Sequence, residues 1–144
     1  MVEELAEYRE IYVFNSSGDI GGKLISFEEC KDIPFSIKRV FFMYDTLDGK
    51  IVRGKHAHRD VEQLLVCIHG SCKIRFDDGK NKKVYTLDKP SEGLLMPKYI
   101  WGEQYDFSED AVLIVFASDF YDESDYIRKY DDFLKLIQEK ENEN

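Results

Sequence analysis

The apolar residues of this chain recur at two periods, and the change from one to the other falls late in the sequence. From Glu10 onward they come in short runs separated by turn chemistry. "EIYVFN" alternates and is followed by "SSGDIGGK", whose Gly, Ser and Asp residues suit a turn. "KLISFEE" follows, then "IPFSIKRVFFMYD", which is rich in β-branched and aromatic residues. "TLDGK" centres Asp-Gly for a hairpin. "EQLLVCIHGSCKIRFDDGKNKKVYTLD" reads as strand, His-Gly turn, strand, Asp-Gly turn, strand. After the Pro- and Gly-punctuated "KPSEGLLMPKYIWGEQYDF", the near-continuous apolar run "AVLIVFASD" predicts a strand buried on both faces. In the tail the period becomes helical: Tyr126, Tyr130, Phe133, Leu134 and Ile137 share one stripe, and Asp122 to Asp125 suit a helix start.

Many short strands and one late helix predict an all-β fold, a sandwich or jelly-roll barrel with a short C-terminal helix. The expected organisation is one domain over residues 1–144, with the barrel at 11–121 and a helical appendage at 122–140. Alternation then decides which side chains meet inside the barrel mouth, because positions two apart along a strand share a face.

Composition narrows the possible partners. The chain has 144 residues, 29 acidic against 20 basic, for a net charge of -9. That excess argues against bulk binding to nucleic acid or to an anionic membrane. Hydrophobic residues at 43% and aromatics at 14% suit a packed globule. Cys30, Cys67 and Cys72 are odd in number and lack CxxC spacing, so a disulfide framework is not expected and a reducing cytoplasm suits them. "MVEELAEYRE" lacks the basic and apolar regions of a signal peptide, and no apolar run reaches transmembrane length.

The candidate chemistry lies in "RGKHAHRDVEQLLVC". His56 and His58 share a face, Glu62 shares their parity if the strand has no bulge, and Arg53 falls on the opposite parity. HxHxxxE matches the first metal motif of cupin barrels, and two histidines with a carboxylate suit iron, manganese or zinc. Such barrels usually add a third histidine from a later strand; here "GLLMPKYIWGEQYDF" places Trp101 near that position, and His69 sits in an Ile-His-Gly turn. The same two histidines suit proton transfer, since imidazole titrates at roughly 6.5, and Arg53 nearby would hold an anion or steady an enolate. The third alternative is that strand histidines merely line a barrel mouth. Pattern leaves all three open.

A family resemblance weighs among them. The blocks "DIPFSIKRVFF", "RGKHAH", "QLLVCIHGSCKIRFDDG", "LDKPSEGLLMP" and "AVLIVFASDFYDESDYIRKYDDF", spanning Ile11 to Phe133, resemble the nucleotide-sugar 3,4-ketoisomerases, small cupins acting on dTDP-4-keto-6-deoxyglucose. The resemblance implies a cupin jelly-roll homodimer that requires no metal and no cofactor. It implies a keto group moved from C4 to C3 through an enediol, supplying a 3-amino-3,6-dideoxyhexose for surface glycan biosynthesis. Carried over by position, His56 is the base that takes the C3 proton and His58 its partner at C4. Arg39 and Arg53 match arginines that hold the diphosphate or the sugar, a role suited to guanidinium forks. Trp101 is placed to cover a thymine or sugar face, with barrel core as the equal alternative. The chain departs from the family pattern at three positions. Phe41 stands where several similar enzymes carry a tyrosine, which leaves Tyr44 as a substitute donor. Gly102 and Gln104 stand where relatives have larger polar or thioether side chains.

Overall fold

The computed structural model describes residues 11–46 and 50–143. The acidic N-terminal decapeptide and the Asp-Gly centre of "TLDGK" lie outside the described residues. Twelve strands are formed in the described residues: β1 (Ile11–Val13), β2 (Ser17–Asp19), β3 (Gly22–Leu24), β4 (Arg39–Met43), β5 (Arg53–His58), β6 (Gln63–His69), β7 (Cys72–Asp77), β8 (Lys82–Leu87), β9 (Glu92–Met96), β10 (Trp101–Tyr105), β11 (Val112–Ala117) and β12 (Tyr126–Ile127). A single-turn 3-10 helix, Glu123–Asp125, precedes β12, and the chain closes with α1, Tyr130–Asn142.

Two five-stranded antiparallel sheets face one another. One has the order β1-β9-β6-β11-β4 and the other β12-β5-β10-β7-β8; β2 and β3 form a separate hairpin. This is the two-sheet jelly roll expected from many short strands with turn residues between them. Between the sheets, Leu65, Phe76, Leu94, Met96, Leu113 and Val115 form the main core, with Cys67 and Cys72 buried among them. A second cluster covers the outer face of the β6–β11 sheet, where Phe14, Ile33, Leu64, Val66 and Phe116 pack with Phe27 and Phe35. "AVLIVFASD" is indeed buried on both faces: Leu113 and Val115 belong to the inner core, Phe116 to the outer cluster.

The tail departs from the expected appendage. Only Tyr130–Asn142 is α-helical. Before it, Asp122 accepts from the Ser124 backbone and starts the 3-10 turn, and Tyr126 and Ile127 then pair with His58 and Ala57. Tyr126 and Ile127 thus add an edge strand to the barrel. The helix that follows covers the outside of that wall: Phe133 is fully buried in a cluster with Ala57, Trp101 and Ile127.

Candidate active site

The wall made by β5 and β10 carries the site, and a bulge in β5 decides its composition. Gly102 pairs with His56, Glu103 with Gly54 and Gln104 with Arg53, so Lys55 is the extra residue. Gly54 and Lys55 both adopt left-handed backbone, at φ 84 and 49°. A Cβ at Gly54 would lie 3.2 Å from the Gly102 carbonyl oxygen, at a φ that already favours glycine. The bulge corrects the simple alternation. Arg53 stands opposite Gln104, two register positions from Gly102 and His56, so it lies on the same face as His56. A Cβ at Gly102 would point at Met96 and Phe76 of the core, which identifies this as the inner face.

Two histidine rings meet there. Their centroids are 4.8 Å apart and nearly perpendicular. His56 is held by its own bulge, its Nδ1 donating to the Gly54 carbonyl at 2.9 Å. His58 Nδ1 donates to Asp125 Oδ2 at 2.8 Å. A backbone carbonyl and a carboxylate can only accept, so each neutral ring carries its proton on Nδ1 and keeps a lone pair on Nε2. Among the described residues neither Nε2 atom, both buried, has a partner, and Gln104 Oε1 shares that condition. Buried polar atoms are normally satisfied, so three left open on one inner wall mark a place built for a ligand.

Burial, followed by the neighbouring His58, lowers the His56 pKa to about 4. Burial also lowers His58, while the hydrogen bond and charge of Asp125 act in the opposite sense. Both imidazoles are therefore neutral near pH 7, and the carboxylate makes His58 the better of the two at carrying a positive charge.

The strap from Tyr121 to Arg128 closes one side of the site and supplies residues that the sequence pattern did not single out. Tyr126 packs its ring 4.5 Å from His58 and 5.1 Å from His56. Its hydroxyl accepts from Arg39 Nη1 at 3.2 Å, leaving its own proton to donate. The Arg39 guanidinium also lies over Phe41 at 4.4 Å and Tyr121 at 5.1 Å. Glu123 pairs with Arg128 at 2.5 and 2.8 Å and accepts from Tyr121 at 2.6 Å, while Arg128 covers the outer face of Tyr126 at 4.2 Å. The available signal for Asp125 and Tyr126 was their place in "YDESDYIRKYDDF", which a helical reading of the tail had absorbed.

Several expected residues stand elsewhere. Trp101 is on the opposite face of the wall, packed at 5.4 Å from the Tyr130 ring and 5.9 Å from Phe133, with Nε1 donating to Glu103 at 3.0 Å. Trp101 is thus buried neither at the barrel mouth nor in the barrel core, but in the cluster between the wall and the helix. Tyr44 is 61% exposed and stacks on Phe42 along the outer side of the edge strand β4, so it does not substitute for the hydroxyl that Phe41 lacks. Tyr126 occupies the inside instead. Glu62 is not on the histidine strand: the chain turns after His58, and Glu62 bonds through its backbone to Ser118 at the foot of the opposite sheet. Among the described residues no group of three His, Cys, Asp or Glu side chains is arranged to hold a metal ion, so His56, His58 and Glu62 do not form the ligand set that their spacing suggested. His69 is exposed in its turn, with Nδ1 donating to the Asp110 carbonyl at 2.9 Å.

Comparison with known proteins adds four findings. The family model FdtA, described as "WxcM-like, C-terminal", matches residues 7–138. A TDP-4-oxo-6-deoxy-alpha-D-glucose-3,4-oxoisomerase of Aneurinibacillus thermoaerophilus is 52% identical over 119 residues, 83% of this chain and 85% of that protein. Among solved structures, a 3,4-ketoisomerase from Helicobacter canadensis is 45% identical with a TM-score of 0.87, covering 90% of this chain and 97% of its own. A histidine-to-asparagine mutant of the 3,4-ketoisomerase QdtA from Thermoanaerobacterium thermosaccharolyticum, in complex with TDP-4-keto-6-deoxyglucose, is 39% identical. Its TM-score is 0.88, with 92% and 95% of the two chains covered.

Proposed function

The chain belongs to the FdtA, WxcM-like family, and from that premise we propose that His56 and His58 carry the proton transfers of a sugar-nucleotide 3,4-ketoisomerase. The protein is an isomerase of deoxysugar biosynthesis, acting on dTDP-4-keto-6-deoxyglucose. The observation that supports the assignment of roles is the pair of buried Nε2 atoms on one inner wall, without a partner among the described residues.

The chemistry needs a base and a proton donor on adjacent carbons and no net oxidation. One proton leaves C3 and one leaves the O3 hydroxyl; one arrives at C4 and one at O4. His56 Nε2 takes the C3 proton, because its depressed pKa keeps the lone pair free at neutral pH. The electron pair from the C3–H bond moves through the enediolate to the C4 oxygen. Arg39 and the Tyr126 hydroxyl that it orders are the donors at hand to neutralise that charge. His58 Nε2 accepts the O3 proton and, as an imidazolium supported by Asp125, delivers it to C4, while protonated His56 gives the C3 proton up to O4. Arg53, exposed at the bulge on the same face, is left to hold the diphosphate.

A homodimer fits the outer surface of β4, where Val40, Phe42 and Tyr44 are 50, 57 and 61% exposed on one side of an edge strand. A second copy is its occupant in this reading, and sedimentation of Phe42→Asp against wild type tests it by loss of dimer. We place the reaction in the cytoplasm, where buried free thiols such as Cys67 and Cys72 persist.

Proton NMR of the protein with dTDP-4-keto-6-deoxyglucose in deuterated water tests the activity. A 3-keto product bearing deuterium at C4 is expected. A sugar recovered unchanged, with all its carbon-bound protons, would remove the isomerase reading.

A further inference from the structure

The site contains a buried carboxylate bonded to one of its two histidines. Asp125 is 7% exposed, and both of its oxygens are engaged. Oδ2 accepts from His58 Nδ1 at 2.8 Å, and Oδ1 accepts from the Asp60 backbone N–H at 2.7 Å. The backbone is pinned as well: the Asp125 carbonyl accepts from the Arg59 N–H at 3.0 Å, and its N–H donates to Asp122 at 3.0 Å. The strap is thereby clamped to the turn that follows β5. On the far side of the same ring, Tyr126 packs against His58 at 4.5 Å. Consecutive residues of one strap thus hold the edge and the face of one imidazole.

We propose that Asp125 is a positioning residue, acting through His58 to fix which ring nitrogen bears the proton and so which one faces the barrel interior as an acceptor. The inference rests on the ketoisomerase reading for its effect on turnover, but its structural half stands alone. The argument is one of hydrogen-bond parity. A carboxylate accepts on both oxygens and satisfies two donors. One of those donors is a backbone N–H, which cannot become an acceptor. An asparagine at this position has one oxygen, and Asp60 N–H claims it. The amide NH2 then faces His58 Nδ1, which has to accept, and the ring proton moves to Nε2. The isosteric change therefore inverts the tautomer and blocks the inward lone pair. It also withdraws the negative charge that supports an imidazolium.

The chain has only three histidines, so ring-labelled 15N NMR resolves each one, with single substitutions for assignment. In the wild type, His58 is expected with its proton on Nδ1; in Asp125→Asn, on Nε2, with His56 unchanged as the internal control. With dTDP-4-keto-6-deoxyglucose, kcat is expected to fall roughly 100-fold or more, while KM stays within about 3-fold, because general acid–base groups act on the chemical step. A loss of activity with no tautomer change would make Asp125 merely structural and overturn the proposal. So would a wild-type spectrum with the His58 proton on Nε2, which decides the matter even if the variant does not fold. A wild type that shows the Nδ1 proton but does not turn over the sugar would leave Asp125's hold on His58 standing and sink the ketoisomerase reading instead.

Discussion

The two faces of the β5–β10 wall, built from alternating residues of the same strands, are opposite in character. The outer face presents Ala57 and Trp101 to Phe133 and Ile127, and its polar groups are matched: Trp101 Nε1 and Arg75 both donate to Glu103, and the Tyr130 hydroxyl donates to Asp77 at 2.7 Å. The inner face presents His56, His58 and Gln104, each with a buried polar atom that finds no partner among the described residues. The outer face is satisfied by its own fold and the inner one is not. That contrast separates structure from function better than residue type does, since the large aromatic most conspicuous in the sequence belongs to the satisfied side.

Substitutions can break this contrast. The largest effect is expected on the inner face. His56→Ala removes the proposed base, and kcat should drop on the order of 1,000-fold, within the range for general acid–base groups. Affinity for dTDP, measured by calorimetry, should stay within a few-fold. Persistent exchange of the C3 proton in deuterated water would show that the base lies elsewhere. Next is the outer face: Trp101→Ala should cost about 3 kcal/mol or more of stability, as truncation of a buried aromatic does. The folded fraction should keep near-normal kcat, so a thermal melt and an assay below the transition should disagree. If activity fell more steeply than stability, Trp101 would have a role inside the barrel after all.

Smaller changes sharpen the picture. Tyr126→Phe deletes one hydroxyl and leaves the ring packing on both histidines; about a 10-fold fall in kcat is expected if that hydroxyl donates to the developing oxyanion. Acidity probes the inner face directly. His56 is lowered to about 4, so the acidic limb of the kcat/KM profile should lie near pH 4, well below the roughly 6.5 of an exposed imidazole. Between these values the unfolded chain binds a proton that the folded site refuses. Stability should therefore be full above about pH 6.5 and be lost as pH falls toward 4, which melts across that window would register. Tyr44→Ala, on the outer side of β4, should leave kcat unchanged.

Much of the fold was legible because it follows from short-range pattern. Turn residues at regular spacing announced the strands, and "AVLIVFASD" announced a strand covered on both sides. Tyr130, Phe133 and Ile137 share a real stripe, but Tyr126 leaves it for the histidines, because Tyr126 and Ile127 pair with the edge of β5. Local periodicity cannot report an open sheet edge formed by residues nearly 70 positions earlier.

The site divides the same way. Sequence alone determined that His56 and His58 share a face, since alternation is a property of any extended strand, while the pattern left open which chemistry that face supports. Only the tertiary structure decided that a bulge at Gly54 and Lys55 returns Arg53 to their side. It likewise decided that Glu62 crosses to the other sheet, that Trp101 turns outward, and that Asp125 and Tyr126 hold the edge and the face of His58. The reason is one of range. Alternation is set by bonds between neighbours, whereas a register shift or a carboxylate behind an imidazole is chosen by whichever distant backbone and buried polar groups must find partners once water has been excluded.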